Sequence, residues 1–218
     1  MTSPARQHLL RQSAIQAAQQ DPRLLRHFNG YELLLQKLNA DQKTLKKTHS
    51  NEKKAELKRS MLPDYVPWVD GVLSEGKGAQ DAILMTVMVW RIDAGDYAGA
   101  LEIARYALKY KLSMPFGSRP AAYVVVEEIA DMSTRAYAAG EPVSLDVLMT
   151  TMELTESQDM PDQVRAKLHK ITGYVYREAE KPTLALEHLK RAFQLNANCG
   201  VKKDIERLES AIKKAANG

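Results

Sequence analysis

The chain has 218 residues, 44% of them hydrophobic and 6% aromatic, and its net charge is +4. We expect no membrane span and no secretory signal, because no apolar run reaches the roughly 18 residues that a spanning helix needs and the amino terminus lacks an apolar core. The single cysteine, Cys199, excludes a disulfide framework and favours a reducing compartment.

The positive charge is concentrated in residues 1–60, which hold twelve Lys/Arg and five Asp/Glu. Residues 61–218 hold nineteen Lys/Arg and twenty-two Asp/Glu. A basic segment attached to a slightly acidic body predicts a polyanionic partner. Nucleic acid is the first candidate, and an anionic membrane or an acidic protein also fits.

Two helices are predicted in this first region, over about 4–20 and 31–60, with Asp21-Pro22 ending the first. The Ser50-Asn51 pair is a potential break in the second. That helix begins with an apolar stretch, which we interpret as a helical hairpin or coiled-coil-like contact for oligomerisation. Its candidate oligomerisation residues are Leu33, Leu34, Leu38 and Leu45.

The strongest functional signal is the basic stretch over 37–59, which has eight Lys/Arg and three acidic residues. On a helix its cations fall along adjoining faces, where they can neutralise several phosphates. The alternative is a solvated coiled-coil surface. The candidate DNA-binding residues are Lys43, Lys46, Lys47, Lys53, Lys54, Lys58 and Arg59.

Residues 61–80 contain two prolines and three glycines. They predict a linker with a short helical turn around Trp68 to Ser74, which would separate a basic helical region over 1–60 from a body over 81–218.

The sequence of the body predicts only helices, because no segment sustains the alternation of polar and apolar residues that is typical of strands. We therefore predict an all-α fold, with long amino-terminal helices followed by helical hairpins of tetratricopeptide-like packing. Asp96 is a plausible N-cap. The predicted helices lie over about 79–93, 97–111, 120–139, 143–156, 161–180, 182–195 and 200–216.

No motif indicates catalysis. The segment 71–78 matches a phosphate-binding loop except at Gly78, where that loop needs Ser or Thr, and no strand precedes it. The five histidines are scattered, so we expect no metal site and no cofactor. Glu127, Glu128 and Asp131 share one helical turn, a spacing typical of a solvated helix face.

One stretch, over 62–108, combines several distinctive elements. These are Leu62-Pro63-x-Tyr65, the glycine-rich turn before Asp81, Val87-Met88-Val89-Trp90, Asp93-Ala94-Gly95-Asp96-Tyr97 and Ala100-Leu101. In these elements the chain resembles the phage small terminase subunit family, in the branch found in P-two-like temperate tailed phages and related prophages.

The resemblance implies a role in viral genome packaging in the host cytoplasm. Small terminase subunits recognise the packaging site on concatemeric phage DNA, usually assemble as a homo-oligomeric ring, and recruit the large subunit that carries the ATPase and nuclease. We therefore expect double-stranded DNA and the large subunit as partners, and no membrane. Residues 1–60 would bind DNA, oligomerise or do both, and the body over 81–218 would oligomerise and dock the large subunit.

Members of this family have been labelled endonuclease subunits, after their part in cohesive-end cleavage. The residues here predict a chain that is not itself catalytic, although a metal-dependent nuclease is a further reading. The main alternative is a helical-repeat adaptor with no nucleic-acid role, which the similar hairpins at 95–107 and 173–192 support.

Overall fold

The computed structural model describes residues 3–19 and 29–216 and places eleven α-helices and no strand among them. The all-α prediction is therefore confirmed. The chain divides into two compact units, residues 1–121 and 122–218. The predicted stop at Asp21-Pro22 lies outside the described residues.

The helices occur close to their predicted positions. The first unit contains α1 (Pro4–Gln19), α2 (Asn29–Lys47), α3 (Asn51–Met61), a 3-10 turn (Leu62–Asp64), α4 (Val66–Glu75), α5 (Ala82–Ala94) and α6 (Tyr97–Lys109). Helix α7 (Ala121–Ala138) begins at the boundary and is followed by α8 (Leu145–Thr155), α9 (Asp162–Glu178), α10 (Pro182–Leu195) and α11 (Lys202–Ala216).

The long second helix of the prediction is broken at the expected pair. Helix α2 ends at Lys47, and α3 begins at Asn51 after the N-cap Ser50. The Ser50 hydroxyl accepts a hydrogen bond from the Lys53 backbone N–H at 3.2 Å. A serine that satisfies a free N–H in this way starts a new helix rather than continuing the old one.

The structure gives residues 61–80 a different form from the linker that their prolines and glycines predict. They include α4, and Tyr65 and Trp68 are fully buried within the first unit. Pro67 stands in the first turn of α4, where proline is tolerated. Gly71 lies under α1, where a Cβ would approach the Arg11 carbonyl oxygen to 2.6 Å. The boundary between compact units falls near residue 121 instead.

A buried hydrogen bond joins α4 to the start of α5. The Trp68 indole N–H donates to the Asp81 carboxylate at 2.7 Å. The same carboxylate is the N-cap of α5 and accepts from the backbone N–H groups of Ile83 and Leu84 at 2.8 and 3.0 Å. Burial raises the pKa of the Asp81 carboxyl, while these three donors act to lower it.

Aromatic contacts connect this hydrogen bond to the neighbouring helices. The Trp68 ring lies 5.4 Å from the Tyr31 ring on α2, and the Tyr65 ring meets Trp90 of α5 edge to face at 5.8 Å. The Tyr65 hydroxyl donates to Asp41 at 2.7 Å. The segment between α3 and α5 therefore supplies the central packing residues of the first unit.

In the second unit, α9 and α10 pack closely because Gly173 faces Leu189 without a side chain between them. Helix α11 covers the other side of α10 through a cluster of Ala185, Leu189, Val201 and Leu208. The Nδ1 atoms of His169 and His188 lie 3.1 Å apart. Burial lowers the pKa of His169 to about 4 and also lowers that of His188, so both are neutral at pH 7.

We predict that Asp81→Ala lowers the free energy of unfolding by about 2 to 4 kcal/mol. The substitution removes an N-cap and leaves the buried Trp68 N–H without an acceptor. The control is Asp96→Ala, which removes the half-exposed N-cap of α6 that accepts from Gly99, for a loss of about 1 kcal/mol.

Urea unfolding followed by tryptophan fluorescence measures both losses. Both tryptophans of the chain, Trp68 and Trp90, lie in the first unit. Equal losses for the two variants would contradict the special role of Asp81.

Candidate nucleic-acid interface

Five predicted DNA-binding lysines gather where α2 ends and α3 begins. Lys43, Lys46 and Lys47 are exposed at the end of α2, and Lys53 is exposed in the first turn of α3, where Lys54 is half-buried. We call these five residues the basic corner. None of them forms an ion pair with a residue that the structure describes. Their charges are therefore available to a ligand.

The inward face of α2 explains why these lysines point to solvent. One side of the helix carries a row of buried leucines. Their exposed fractions are 4% for Leu34, 2% for Leu38 and 8% for Leu45. Because this stripe faces the core, the side chains on the other faces lie outside it. The N-cap at Ser50 then starts α3 within three residues of the end of α2.

Burial makes three of the four predicted oligomerisation residues inaccessible to another copy of the chain. Leu34, Leu38 and Leu45 contact the core of their own chain, so their side chains are not available to another copy. Leu33 is 59% exposed and is the member of the set that a partner can reach. Oligomerisation through α2 stays a prediction, now resting on Leu33.

Lys58 and Arg59, the other two predicted DNA-binding residues, are engaged within the chain. The Lys58 ammonium pairs with the Asp93 carboxylate, and the Arg59 Nε–H donates to the Ala94 carbonyl oxygen at 2.9 Å. Asp93 and Ala94 are the last two residues of α5, where a helix favours cations. These contacts fasten the end of α3 to the end of α5, and we call them the α3–α5 clamp.

The basic corner keeps its positive charge because the nearby carboxylates are paired with other residues. The Asp41 carboxylate is occupied by the Lys37 ammonium at 2.6 Å and by the Tyr65 hydroxyl. Lys37 also pairs with Asp64 at 3.1 Å. Between residues 43 and 54 the one acidic residue is Glu52. The corner therefore has a local excess of four positive charges over those twelve residues.

The phosphate-loop-like segment and the neighbouring carboxylates of the sequence analysis have structural roles. Gly71 lies inside α4, and the Gly78 N–H donates to the Tyr106 hydroxyl at 2.8 Å, so the segment 71–78 has no phosphate-loop geometry. The Lys167 ammonium lies 3.5 Å from the Glu127 carboxylate and 3.0 Å from that of Asp131, forming an ion-pair cluster.

The described part of the chain contains neither a group of metal-ligating side chains nor a membrane-spanning helix. Within residues 3–19 and 29–216, no three His, Cys, Asp or Glu side chains are grouped so as to hold a metal ion. Over the same ranges, none of the helices combines the length and the apolar character needed to cross a bilayer.

Comparisons with known proteins agree with the resemblance in the sequence. The model of the phage small terminase subunit family matches residues 35–163. The "Terminase, endonuclease subunit" of Escherichia phage P2 is 57% identical over 98% of this chain and 87% of its own length. The "Probable terminase, endonuclease subunit" of Haemophilus phage HP1 (strain HP1c1) is 28% identical over 83% of this chain and 70% of its own. No solved structure matches this chain.

We predict that Lys58→Gln destabilises the first unit by about 1 kcal/mol, because it removes a partly buried ion pair. A double-mutant cycle with Asp93→Asn should recover a coupling of similar size. The matched controls Lys46→Gln and Lys53→Gln should change the free energy of unfolding by less than about 0.5 kcal/mol.

Tryptophan-detected urea unfolding again reports this unit. If all three lysine variants were equally stable, the distinction between the α3–α5 clamp and the basic corner would be lost.

Proposed function

The chain belongs to the phage small terminase subunit family, and we propose on that premise that it binds double-stranded phage DNA at the packaging site through the basic corner. In the same proposal it recruits the large ATPase-nuclease subunit, so that the genome is cut and packaged in the host cytoplasm. The observation that supports DNA binding is the group of four exposed lysines and one half-buried lysine, none with an ion pair to a described residue, at the junction of α2 and α3.

These lysines suit a phosphate backbone for a simple electrostatic reason. Each ammonium that neutralises a phosphate releases a condensed counterion, which makes binding tight at low salt and weak at high salt. Such contacts position a protein on the duplex and carry no sequence information themselves. We therefore assign to the basic corner affinity and orientation, and not the reading of the packaging sequence.

The α3–α5 clamp narrows the set of ligand-binding residues. Lys58 and Arg59 already bind Asp93 and the Ala94 carbonyl. Breaking these contacts to reach a phosphate would leave a partly buried carboxylate unpaired, which is unfavourable. We accordingly assign the phosphate contacts to the five lysines of the basic corner, Lys43, Lys46, Lys47, Lys53 and Lys54.

Assembly is the second part of the proposal. We propose a homo-oligomer, in the form of a ring, and we propose that helices within residues 81–218 take part in oligomerisation and dock the large subunit. This range includes α5 and α6 of the first unit and all of the second. The names of the two relatives support a second subunit, because each relative is called a subunit of a terminase. The exposed Leu33 on α2 offers an apolar contact to a neighbouring copy.

Both relatives also carry the word endonuclease in their names. We propose that this chain positions the DNA and that the large subunit cuts it. The arrangement at Glu127 and Asp131 supports this division, because the Lys167 ammonium lies where a catalytic metal between two carboxylates would have to bind.

We expect the triple variant Lys46→Gln, Lys47→Gln and Lys53→Gln to weaken DNA binding with a smaller salt dependence. The slope of the logarithm of the binding constant against the logarithm of salt concentration should fall in magnitude by roughly 2 to 3, because each missing ammonium leaves one phosphate with its counterions. Fluorescence anisotropy with a cohesive-end duplex between about 50 and 200 mM salt measures the slope.

The matched control is Lys77→Gln, Arg105→Gln and Lys111→Gln, which removes the same charge from positions elsewhere in the first unit. If both triple variants lowered the slope equally, net charge and not the basic corner would explain binding. Wild-type protein that bound no DNA at low salt would instead favour the helical-repeat adaptor.

Nicking activity tests the division of labour between subunits. The purified chain with Mg²⁺ should leave a supercoiled plasmid carrying the cohesive-end site intact, whereas chain and large subunit together should cut it. The readout is conversion of supercoiled to nicked or linear plasmid on a gel. Cutting by the chain alone, abolished by Glu127→Gln or Asp131→Asn, would assign the endonuclease chemistry to this chain.

A further inference from the structure

The slightly acidic body contains a basic end of its own. Residues 61–181 hold twelve Lys/Arg and eighteen Asp/Glu, while residues 182–218 hold seven Lys/Arg and four Asp/Glu. The chain therefore has two basic ends and an acidic middle. The second basic segment coincides with α10 and α11 in the second unit.

Helix α11 holds most of this charge on one of its faces. Its apolar side packs on α10, where Leu208 is buried with Leu189 and Val201 and Ile205 is partly buried against them. Helical spacing places the remaining side chains on the opposite face. That face is exposed at Lys202, Lys203, Glu206, Arg207, Ser210, Lys213 and Lys214.

One row along this face contains cations and no acid. Lys203, Arg207, Ser210 and Lys214 are related by steps of four, three and four residues, so they follow one another along the helix. We call this row the α11 ridge. It extends over roughly 16 Å, at about 1.5 Å per residue. None of its three cations forms an ion pair with a described residue.

The acidic groups of α11 are largely neutralised elsewhere. The Asp204 carboxylate accepts from the Arg177 guanidinium and from the Tyr174 hydroxyl, each at 3.1 Å. Glu209 pairs with the Lys190 ammonium at 2.6 Å. Glu206 is the remaining acid and lies in the neighbouring row. The ridge therefore presents an uncompensated positive potential to solvent.

The stability of the helix does not explain this arrangement. Lys213 and Lys214 stand in the last turn, where cations favour a helix, but Lys203 stands in the first turn, where they oppose it. A cation kept at an unfavourable end is better explained by a ligand. An extended polyanion suits this row better than a small anion does, because three cations spread over roughly 16 Å exceed the reach of a single phosphate group.

We propose that the α11 ridge is a second binding surface for the phosphate backbone of double-stranded DNA. The proposal rests on the proposed function only in taking phage DNA as the ligand. A duplex carries one phosphate charge for roughly every 1.7 Å of axis, so a length equal to the ridge offers about nine or ten phosphates. Each compact unit then contributes one basic surface, and phosphate contacts made at either surface add to the affinity for DNA.

The test uses the full chain with Lys203→Gln, Arg207→Gln and Lys214→Gln, and glutamine keeps the helix propensity high. The salt slope for duplex binding should fall in magnitude by roughly 2 to 3. A cohesive-end duplex and an unrelated duplex should weaken by the same factor, because phosphate contacts do not read sequence. The charge-keeping variant Lys203→Arg, Arg207→Lys and Lys214→Arg should bind as the wild type does.

The control triple variant at Lys77, Arg105 and Lys111 separates position from net charge. A ridge variant with the slope of this control overturns the proposal, provided that circular dichroism shows an intact helical fold. Unchanged DNA binding together with weaker binding of the purified large subunit also overturns it, because the ridge would then recognise an acidic protein.

The two triple variants test the basic corner and the α11 ridge separately. If the ridge variant lowers the slope while the variant at Lys46, Lys47 and Lys53 does not, the ridge stands and the basic corner is wrong. The reverse result removes the ridge and keeps the corner.

Discussion

The first unit depends on the buried hydrogen bond from the Trp68 indole to the Asp81 carboxylate. One carboxylate satisfies the tryptophan N–H and two backbone N–H groups of α5, so a large aromatic side chain and a helix start are fixed at the same point. Burial makes the arrangement specific, because an unpaired polar group there would be strongly unfavourable. Tyr31 on α2 packs against the same tryptophan and brings the helix that carries three of the five lysines of the basic corner into this packing.

The position of α3 follows from a second set of polar contacts. Helix α3 buries no side chain completely, so apolar burial holds it weakly. The α3–α5 clamp compensates by pairing Lys58 and Arg59 with the end of α5. Cations on one short helix thus have two kinds of role. Those near its end attach it to the protein, and those near its start remain free for a polyanion.

Family membership identifies the kind of subunit, and the structure locates the cations that we propose as DNA contacts. The family identifies a subunit of the phage packaging machinery. The structure gives the positions of the cations that we propose as DNA contacts, at the basic corner in one unit and at the α11 ridge in the other. Both surfaces lie on helices whose opposite faces are packed against neighbours, so the cations are presented on a fixed scaffold and not on a loop.

The sequence by itself determined the all-α class, the helix positions after residue 80, the break at Ser50 and the family. These depend on local signals, namely capping residues, proline and glycine punctuation, and a missing period-two pattern. It predicted a linker at residues 61–80, because two prolines and three glycines usually interrupt structure. Only the tertiary structure decided that this segment supplies the central packing residues of the first unit and that Leu34, Leu38 and Leu45 are buried in the core of their own chain. It also decided that Lys58 forms an ion pair within the chain while Lys53 does not. The physical reason is that each of these properties depends on a partner distant in sequence, such as Asp93 for Lys58, and no local pattern encodes which side chain that partner will be.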